Sequence, residues 1–422
     1  METRRLYLDI VNYTRGVIAS EEFFRNAIRR QSDFSRRRKM SFADYIHIAL
    51  QNAKSSLQIS VNSLIDAQKS KDFEYSKQAF SKGRQRIKPE AFQTLFRCVV
   101  ERFYKKAELT GWNGYHLFGI DGTRLNLPCT DELVGLYGTQ TSQGAPQMQA
   151  LVSCVYDLLN GIIVDTRFAH CKSSERTAAK DMITSFHVKN VKKPVFVMDR
   201  GYPSAELLDA IESAGHKFIM RCPTGFLRSM EILNEDNIIK HQFKKLKRWM
   251  KVRVIKIKLS ADSTEYLITN ILDSDISVDD FRTAYWMRWG IESKYNDIKN
   301  KLEIENFTGY SSCAILQDFY ATMFLANLAG VLEYDLHEEI EAAHRKPENR
   351  YQYKMNIAAA ISVLKKRIVE MLSTRSARKR ECLFAKMAVR LAKEVVPVRL
   401  HRSYERKRKH TASKYSNTTK RN

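Results

Sequence analysis

An alternation of apolar runs and helical segments in residues 116–222 constrains the fold most strongly. The strand-like runs are residues 116–120, 149–157, 161–168, 194–198 and 217–220. Helical patterns at 174–186 and 204–214 separate the later runs, with Ser204 as a plausible N-cap and Gly215 as the stop. Asn160-Gly161 joins two of the runs, and Asn-Gly is the strongest short hairpin signal. Strands alternating with helices in this order predict a mixed α/β sheet.

Helical patterns precede and follow this region. Residues 1–95 are helical and basic, with patterns from Ser41, at 57–67 and at 76–88, the last stopped by Pro89. Successive short helices of this kind resemble a helix-turn-helix arrangement. The alternative is an ordinary helical bundle with a solvated basic face. From Ser277 the chain is mostly helical to about residue 393.

Residues 223–275 have a β-like pattern. The segment 252–259 largely alternates apolar and basic side chains, so it predicts a strand with one apolar and one cationic face. The cationic face either lies against phosphates or is an ordinary solvated surface. The tail, residues 401–422, is basic with almost no apolar residues, which predicts disorder in isolation.

The overall charge indicates a polyanionic partner. The chain has 422 residues, with 71 Lys+Arg against 47 Asp+Glu and a formal net charge of +24. Such a charge favours nucleic acid or an anionic membrane surface. The most apolar stretch, residues 319–332, is shorter than the roughly 20 residues that a membrane span needs, so a buried core helix is expected. The N-terminus shows no secretory signal pattern, and we expect no membrane partner.

The seven cysteines are scattered without a C-x-x-C pair. This pattern favours reduced thiols in a cytoplasmic protein over a disulfide framework or a zinc site.

One segment concentrates polar side chains at helical spacing. Ser277 with Asp280 forms a variant capping box, which predicts a helix start. On a continuous helix, Tyr285, Arg288, Glu292 and Lys299 fall within a stripe about 60° wide, beside an apolar stripe. The predicted position of Glu292 is therefore the edge of the core, between cations. The plainer interpretation is a surface ion pair.

Two aspartates have a matching setting. Asp121 and Asp199 each follow an apolar run and precede a glycine, which predicts that each ends a strand at a turn. If the strands are neighbours, a helix that delivers Glu292 to the same edge creates a cluster of three carboxylates. Such carboxylates repel one another unless cations neutralise them. Two Mg²⁺ or Mn²⁺ ions, which prefer oxygen ligands, fit phosphoryl transfer. Taken alone, each Asp is more often a turn residue.

The pattern Tyr285-x2-Arg288-x3-Glu292-x6-Lys299 resembles the signature of bacterial insertion-sequence transposases of the Asp-Asp-Glu class, in the group with the Tyr-Arg-Glu-Lys motif. The segments around Asp121 (120–128) and Asp199 (198–202) resemble the family's two Asp blocks, and residues 76–81 resemble its N-terminal region. The resemblance covers roughly residues 34–330.

The resemblance implies a fold and an activity. The fold is a ribonuclease-H-like mixed sheet with helices and a β-rich insertion, plus a helical N-terminal domain and a helical C-terminal region. The activity is metal-dependent cleavage at the ends of an insertion sequence and strand transfer into target DNA, with Asp121, Asp199 and Glu292 holding two Mg²⁺ or Mn²⁺ ions. The expected domains are 1–95 for DNA binding, 96–330 for catalysis with an insertion at about 223–275, 331–400 as a helical region and 401–422 as a basic tail.

The expected partners are double-stranded DNA, as element ends and target, and a second copy of the chain in a homodimer on DNA. The predicted DNA contacts are Tyr285, Arg288, Lys299, Arg36, Arg37, Arg38, Lys77, Lys82, Arg84 and Arg86. Some of this group form a hairpin at the transposon end and stack a flipped base on an aromatic residue. Tyr266 occupies the place where a related branch has Trp, with Trp249 and Trp289 as other candidates. For Tyr266, ordinary packing on the sheet is the alternative.

Two alternative functions stay open at this point. One is a related metal-dependent nuclease that cleaves without strand transfer. The other is a non-catalytic DNA-binding protein derived from a transposase. An intact set of three acids argues against the second, because closely spaced carboxylates are costly without a cation.

Overall fold

The computed structural model describes residues 5–398, except 37, 52–55, 68–73, 142–145, 228–229, 244–245, 261–262 and 346–350. The chain divides into two compact units. The helical unit comprises residues 1–106, 126–148 and 296–422, and the sheet unit comprises residues 107–125 and 149–295.

The described helices are α1 (Leu6–Ala19), α2 (Glu21–Ala27), α3 (Phe42–Gln51), α4 (Leu57–Ala67), α5 (Lys77–Arg84), α6 (Pro89–Lys106), α7 (Asp131–Tyr137), α8 (Glu175–Thr184), α9 (Ala205–Ser213), α10 (Val278–Met287), α11 (Trp289–Asn296), α12 (Ser312–His344), α13 (Ile357–Ser373) and α14 (Ala377–Leu391). A 3₁₀ turn spans Met230–Ile232 and a π-helical turn spans Asp297–Lys301.

The described strands are β1 (His116–Asn126), β2 (Thr139–Gln140), β3 (Gln147–Asp157), β4 (Ile163–His170), β5 (Pro194–Met198), β6 (Lys217–Cys222), β7 (Asp236–Phe243), β8 (Arg248–Ser260), β9 (Ser263–Thr269), β10 (Gln352–Met355) and β11 (Val395–Val398).

The sheet unit has the strand order of a ribonuclease-H-like fold. Its strands run β4-β3-β1-β5-β6-β9-β8-β7. Strands β3 and β4 are antiparallel, whereas β1, β5 and β6 run parallel to one another. Among the first five strands of this unit, the spatial order is therefore third, second, first, fourth and fifth. This confirms the predicted fold class.

Strands β7 to β9 extend the same sheet with antiparallel pairs. They supply the predicted β-rich insertion. Arg253, expected on a cationic face of β8, is instead buried and pairs with Asp236 (2.5 Å). The alternating pattern therefore fails at Arg253, because an ion pair allows this charged residue to lie on the buried face.

Apolar content explains why the parallel strands lie at the centre. All five residues of β5 are buried, as expected for a strand covered on both faces. Val195 and Val197 belong to a core cluster that also includes Leu117, Ile219 and Phe281. The sheet edge at which β1 and β5 end is thus attached to a rigid core.

Local signals account for several element ends. The Ser204 side chain accepts from the Leu207 N–H, and Gly215 has φ +73°, so α9 is capped as predicted. Ser277 and Asp280 form the predicted capping box of α10. In the β3–β4 hairpin, Gly161 (φ +74°) has a positive φ but Asn160 does not, so the loop is longer than a two-residue type I′ turn.

The helical unit is built around α12. By length and composition this helix could cross a membrane. An 18-residue window of it has a mean hydropathy of 1.3, but 89% of that window is buried inside the protein. It packs against α1, α3, α6 and α13. The predicted core helix at 319–332 is therefore confirmed as buried. Pro89, expected to stop a helix, begins α6, where proline at the first helical position is favourable.

Candidate active site

Asp121 and Asp199 lie on neighbouring parallel strands of the sheet unit. The register of β1 and β5 runs from His116 opposite Pro194 to Gly119 opposite Val197. Asp121 lies two residues after Gly119, and Asp199 lies two residues after Val197. If the same register continues, the two aspartates lie opposite each other. Adjacent strands are separated by about 4.8 Å. The predicted meeting of the two aspartates at one edge therefore agrees with the strand order.

The two aspartates differ in their backbone setting. Asp199 follows the last residue of β5, as predicted, whereas Asp121 lies inside β1, which continues to Asn126. The expectation that Asp121 ends its strand was wrong, because Gly122 has extended backbone here rather than a turn. The Oδ1 atom of Asp121 accepts the Gly122 N–H (2.9 Å), and Oδ1 of Asp199 accepts the Gly201 N–H (2.7 Å).

Glu292 is on α11, where Arg288 contacts it. Arg288 Nη1 donates to Glu292 Oε1 at 2.9 Å. The arginine side chain is 7% exposed, and that of Glu292 is 36% exposed. Glu292 is thus half-exposed, beside a buried cation.

The helix that carries this pattern is irregular rather than ideal: Arg288, between α10 and α11, keeps α-helical dihedral angles (φ −50°, ψ −33°), but its N–H donates to the Tyr285 carbonyl three residues earlier. α10 ends at Met287, α11 begins at Trp289, and a π-helical turn starts at Asp297. Tyr285 is buried in the core cluster of the sheet unit rather than standing on a polar stripe. An ideal 100° step per residue cannot describe positions across these irregularities.

The electrostatic environment of Asp121 reflects the charges of the other two predicted acids. Burial raises the pKa of Asp121 to about 6, and the charges of Asp199 and Glu292 add to the increase. The Gly122 N–H and the Arg288 guanidinium oppose it. Asp199, Glu292 and Arg288 therefore each lie within electrostatic reach of Asp121.

Tyr295 ties the helix of Glu292 to the strand of Asp121. Its hydroxyl donates to the main-chain carbonyl of Asp121 at 2.7 Å. The tyrosine is buried, and desolvation holds its pKa well above the ordinary value, so it stays protonated as a donor. Sequence reasoning missed this residue, although its position three residues after Glu292 places both on neighbouring helix faces.

A fourth acid, Glu175, lies beside Gly122, the residue that follows Asp121. A Cβ on Gly122 would come within 2.7 Å of the Glu175 side chain, so the Glu175 carboxyl occupies the space that a larger residue would need. Tyr202 donates its hydroxyl to Glu175 Oε2 (3.4 Å). Burial raises the pKa of the Tyr202 phenol, and the charges of Asp121, Glu175 and Asp199 raise it further. The only sequence signal for Tyr202 was its place in the second Asp block.

The donors for a metal are present but are not arranged around a common point. In the part of the chain that the structure describes, no group of three His, Cys, Asp or Glu side chains is placed to hold a metal ion. Glu292 is paired with Arg288, and both aspartates accept main-chain N–H groups. A cation would therefore have to displace at least the Arg288 contact to recruit Glu292.

The other predicted DNA contacts lie in the helical unit, in varied settings. Arg36, Arg38, Lys77 and Lys82 are exposed, and Arg86 is partly exposed near Asp33 (3.9 Å). Arg37 lies outside the described residues. Lys299 is half-buried, where burial lowers its pKa and Glu305 opposes this.

Arg84, by contrast, is part of the interior of the helical unit. It is buried, pairs with Asp318 (2.8 Å) and donates to Gln317 Oε1 (2.7 Å). A charge held in this way is not presented to DNA, so the predicted contact at Arg84 is corrected to a buried ion pair between α5 and α12.

The three stacking candidates differ in exposure. Tyr266 is 9% exposed within β9, whereas Trp249 is 54% and Trp289 44% exposed. Lys240 lies over the Trp249 ring (5.6 Å to the centroid) and Arg288 over the Trp289 ring (4.7 Å). The alternative of sheet packing fits Tyr266, and the two tryptophans offer accessible ring faces.

Comparison with known families decides the identity. The family described as transposase DDE domain matches residues 112–328, which is more than half of the chain and contains Asp121, Asp199 and Glu292. The chain belongs to the transposase DDE domain family. A DDE transposase is a nuclease and strand-transfer enzyme in general, which agrees with the acids at the sheet edge of this transposase.

Other comparisons add little to this assignment of the transposase. A similar solved structure is the cryo-EM structure of the piggyBac transposase synaptic complex with hairpin DNA, with a TM-score of 0.46 and 10% identity. The match covers 92% of this chain and 82% of that chain. Among curated proteins, none matched significantly.

Proposed function

We propose that this transposase belongs to the bacterial insertion-sequence group with the Tyr-Arg-Glu-Lys signature and moves its element by cut and paste. It would cut DNA at the element ends and join the freed 3′ ends to target DNA. The observation that carries the proposal is geometric: the register of β1 and β5 places Asp121 and Asp199 level, and the Tyr295 hydroxyl ties the helix of Glu292 to the main chain of Asp121.

The chemistry of these donors fits divalent cations. DDE transposases generally use divalent metal ions, and carboxylate oxygens are the ligands that Mg²⁺ and Mn²⁺ prefer. Asp121, Asp199 and Glu292 would hold two such ions. When bound, they would supply positive charge for the attacking and leaving oxygens of an in-line phosphoryl transfer.

The chain's own groups would order this site. Gly122 and Gly201 N–H groups fix the carboxylates of Asp121 and Asp199 through hydrogen bonds. Tyr295 keeps Glu292's helix attached at Asp121. Arg288 is the nearby cation that can bind a phosphate oxygen bidentately. The raised pKa of Asp121, about 6, means that its carboxyl is mainly neutral below that pH and mainly ionised above it in the absence of a cation.

The remaining parts have proposed roles in DNA binding. Residues 1–95, through Arg36–Arg38, Lys77, Lys82 and Arg86, would recognise the terminal inverted repeats. Residues 96–330 would be catalytic, residues 331–400 an additional helical region, and the basic tail 401–422 would add salt-sensitive affinity. Tyr285 and Arg288 are both buried, so Lys299, which is half-buried, is the most accessible of the three cationic or hydroxyl-bearing motif residues for a phosphate contact.

We propose Trp249 or Trp289, rather than Tyr266, as the platform for a flipped base. Stacking of a base on an aromatic ring contributes about 1–3 kcal/mol. We also propose a homodimer on DNA, because two ends must be cut and joined together, and a cytoplasmic location at the nucleoid.

The test is a cleavage and joining reaction with purified full-length protein. Supercoiled plasmid carrying the element ends is incubated with Mg²⁺, and wild type is compared with Glu292→Gln. Asp279→Asn is the matched control, since it removes an exposed acid from the preceding helix α10. We expect Mg²⁺-dependent excision and joining by wild type and the control, and loss of at least about 10³-fold in Glu292→Gln.

Each other outcome selects an alternative. Cleavage without joining would indicate a metal-dependent nuclease. Binding of the ends without cleavage by wild type would indicate a non-catalytic DNA-binding protein. Cleavage retained in Glu292→Gln would remove Glu292 from the site.

A further inference from the structure

Arg288 is almost entirely withdrawn from water, although its charge is permanent. The residue is 5% exposed. Its guanidinium carbon lies 4.7 Å from the Trp289 ring centroid and 5.7 Å from that of Tyr285. A charge buried in this way needs a compensating partner. The acid that receives its hydrogen bond is Glu292, at 2.9 Å.

The contact with Glu292 does not use every donor of the guanidinium. Among the described residues, its Nε atom has no hydrogen-bond acceptor.

We propose that Arg288 is the resident counter-cation of Glu292, which it positions in the metal-free protein and releases when a divalent cation binds. This inference rests on the proposed function. A guanidinium and a divalent cation at the same carboxylate repel each other, and the repulsion is strong where water is excluded.

Replacement of Arg288 by a divalent cation at Glu292 would also couple metal binding to DNA binding. Once Glu292 binds a cation, Arg288 is a buried charge without its carboxylate, and the phosphate of a bound strand is the natural replacement. Metal and DNA would then each strengthen the binding of the other, because such coupling is reciprocal. Arg288 is thus a positioning residue before the reaction and a phosphate ligand during it.

The test is Mn²⁺ binding to the full-length protein without DNA, measured by isothermal titration calorimetry. We expect Arg288→Gln to bind Mn²⁺ at least about tenfold more tightly than wild type, because a competing and repelling charge is removed. Arg288→Lys keeps the charge but loses the planar guanidinium stacked on the rings, so it should bind Mn²⁺ less tightly than Arg288→Gln. Arg282→Gln is the matched control, since it removes an exposed arginine of α10. It should bind as wild type does.

A second variant protects the test against misfolding. Arg288→Met keeps an unbranched stem between the two rings without the charge, and it should bind Mn²⁺ as tightly as Arg288→Gln. Unchanged or weaker binding in the folded variant would overturn the proposal.

Glu292→Gln separates this inference from the proposed function. If Glu292→Gln weakens Mn²⁺ binding but loss of Arg288 does not strengthen it, only the role of Arg288 is refuted. If Glu292→Gln binds Mn²⁺ as wild type does, Glu292 is not a ligand and both proposals fail.

Discussion

The Tyr295 hydroxyl donates a 2.7 Å hydrogen bond to the main-chain carbonyl of Asp121. This contact joins α11, which carries Glu292, to β1, which carries Asp121. Tyr295 is buried and Asp121 is half-buried, and removal of the hydroxyl leaves the Asp121 carbonyl without this donor. The distance between two of the three acids therefore depends on a residue that touches neither carboxylate.

Tyr295→Phe should separate positioning from stability. The change removes one hydroxyl, and we expect a loss of about 1–3 kcal/mol in unfolding free energy from the unsatisfied carbonyl. We expect DNA cleavage to fall by about 10–100-fold, as when residues that orient metal ligands are changed. Cleavage rates at several Mn²⁺ concentrations and urea denaturation measure the two effects.

Tyr310→Phe is the control for that experiment, since Tyr310 is 58% exposed and belongs to the helical unit. It should leave both quantities unchanged. Full cleavage by Tyr295→Phe would show that the 2.7 Å contact does not position Glu292.

Gly122→Ala should displace the Glu175 carboxyl. A methyl group there would meet the Glu175 side chain at 2.7 Å, so the glutamate must shift. Because the contact is with the far end of a flexible, half-buried side chain, we expect Gly122→Ala to lose less than about 1 kcal/mol of stability, below the usual range for overpacking in a core. Shortening the neighbour in Gly122→Ala/Glu175→Ala should recover most of it, as a double-mutant cycle in thermal denaturation would measure. Additive losses would mean that Glu175 does not occupy this space.

Arg84 should matter for stability rather than for DNA affinity. Its ion pair with Asp318 is buried, and removing one partner leaves an uncompensated charge. We expect Arg84→Ala to lose about 3–5 kcal/mol of unfolding free energy. Lys82→Ala, which removes an exposed cation from the same helix, should leave stability within about 0.5 kcal/mol. Urea denaturation of both variants provides the comparison, and a small loss in Arg84→Ala would contradict the structural role.

Short-range signals were enough to predict much of the sheet unit. Buried runs such as 194–198 and caps such as Ser204 and Ser277 depend on neighbouring residues, and the structure has them where the sequence predicts them. The Asp121–Asp199 pairing could also be inferred, because parallel strands that are neighbours end at the same edge.

Features that depend on distant partners could not be predicted. Arg84 and Arg253 appear in basic patterns, but Asp318 and Asp236 decide that both are buried. The irregular hydrogen bonding at Arg288 and the π-helical turn at Asp297 distort this helix, although Arg288 keeps helical dihedral angles, and Gly290 was a local signal for the first irregularity alone. The positions of Tyr285 and Lys299 on one stripe therefore could not be extrapolated from an ideal helix.

His47 should make the stability of the helical unit depend on pH. Burial lowers its pKa from 6.5 to about 4, with Arg15 acting in the same direction and Asp44 opposing. Its Nδ1 atom has no hydrogen-bond partner among the described residues. Above pH 6.5 the ring is neutral in both the folded and the unfolded chain, so it causes no difference.

As the pH falls from 6.5 toward 4, the unfolded chain takes up the proton first, and the folded state loses about 1.4 kcal/mol per pH unit. At pH 5 the loss is about 2 kcal/mol. His47→Phe should remove this slope, whereas His337→Gln, which changes an exposed histidine of α12, should retain it. Asp335 contributes the opposite pH dependence to the unfolding free energy, since burial raises its pKa to about 6. That contribution is common to wild type, His47→Phe and His337→Gln. Urea denaturation at pH 7, 6 and 5 measures the difference, and equal slopes in wild type and His47→Phe would show that His47 is accessible to protons in the folded chain.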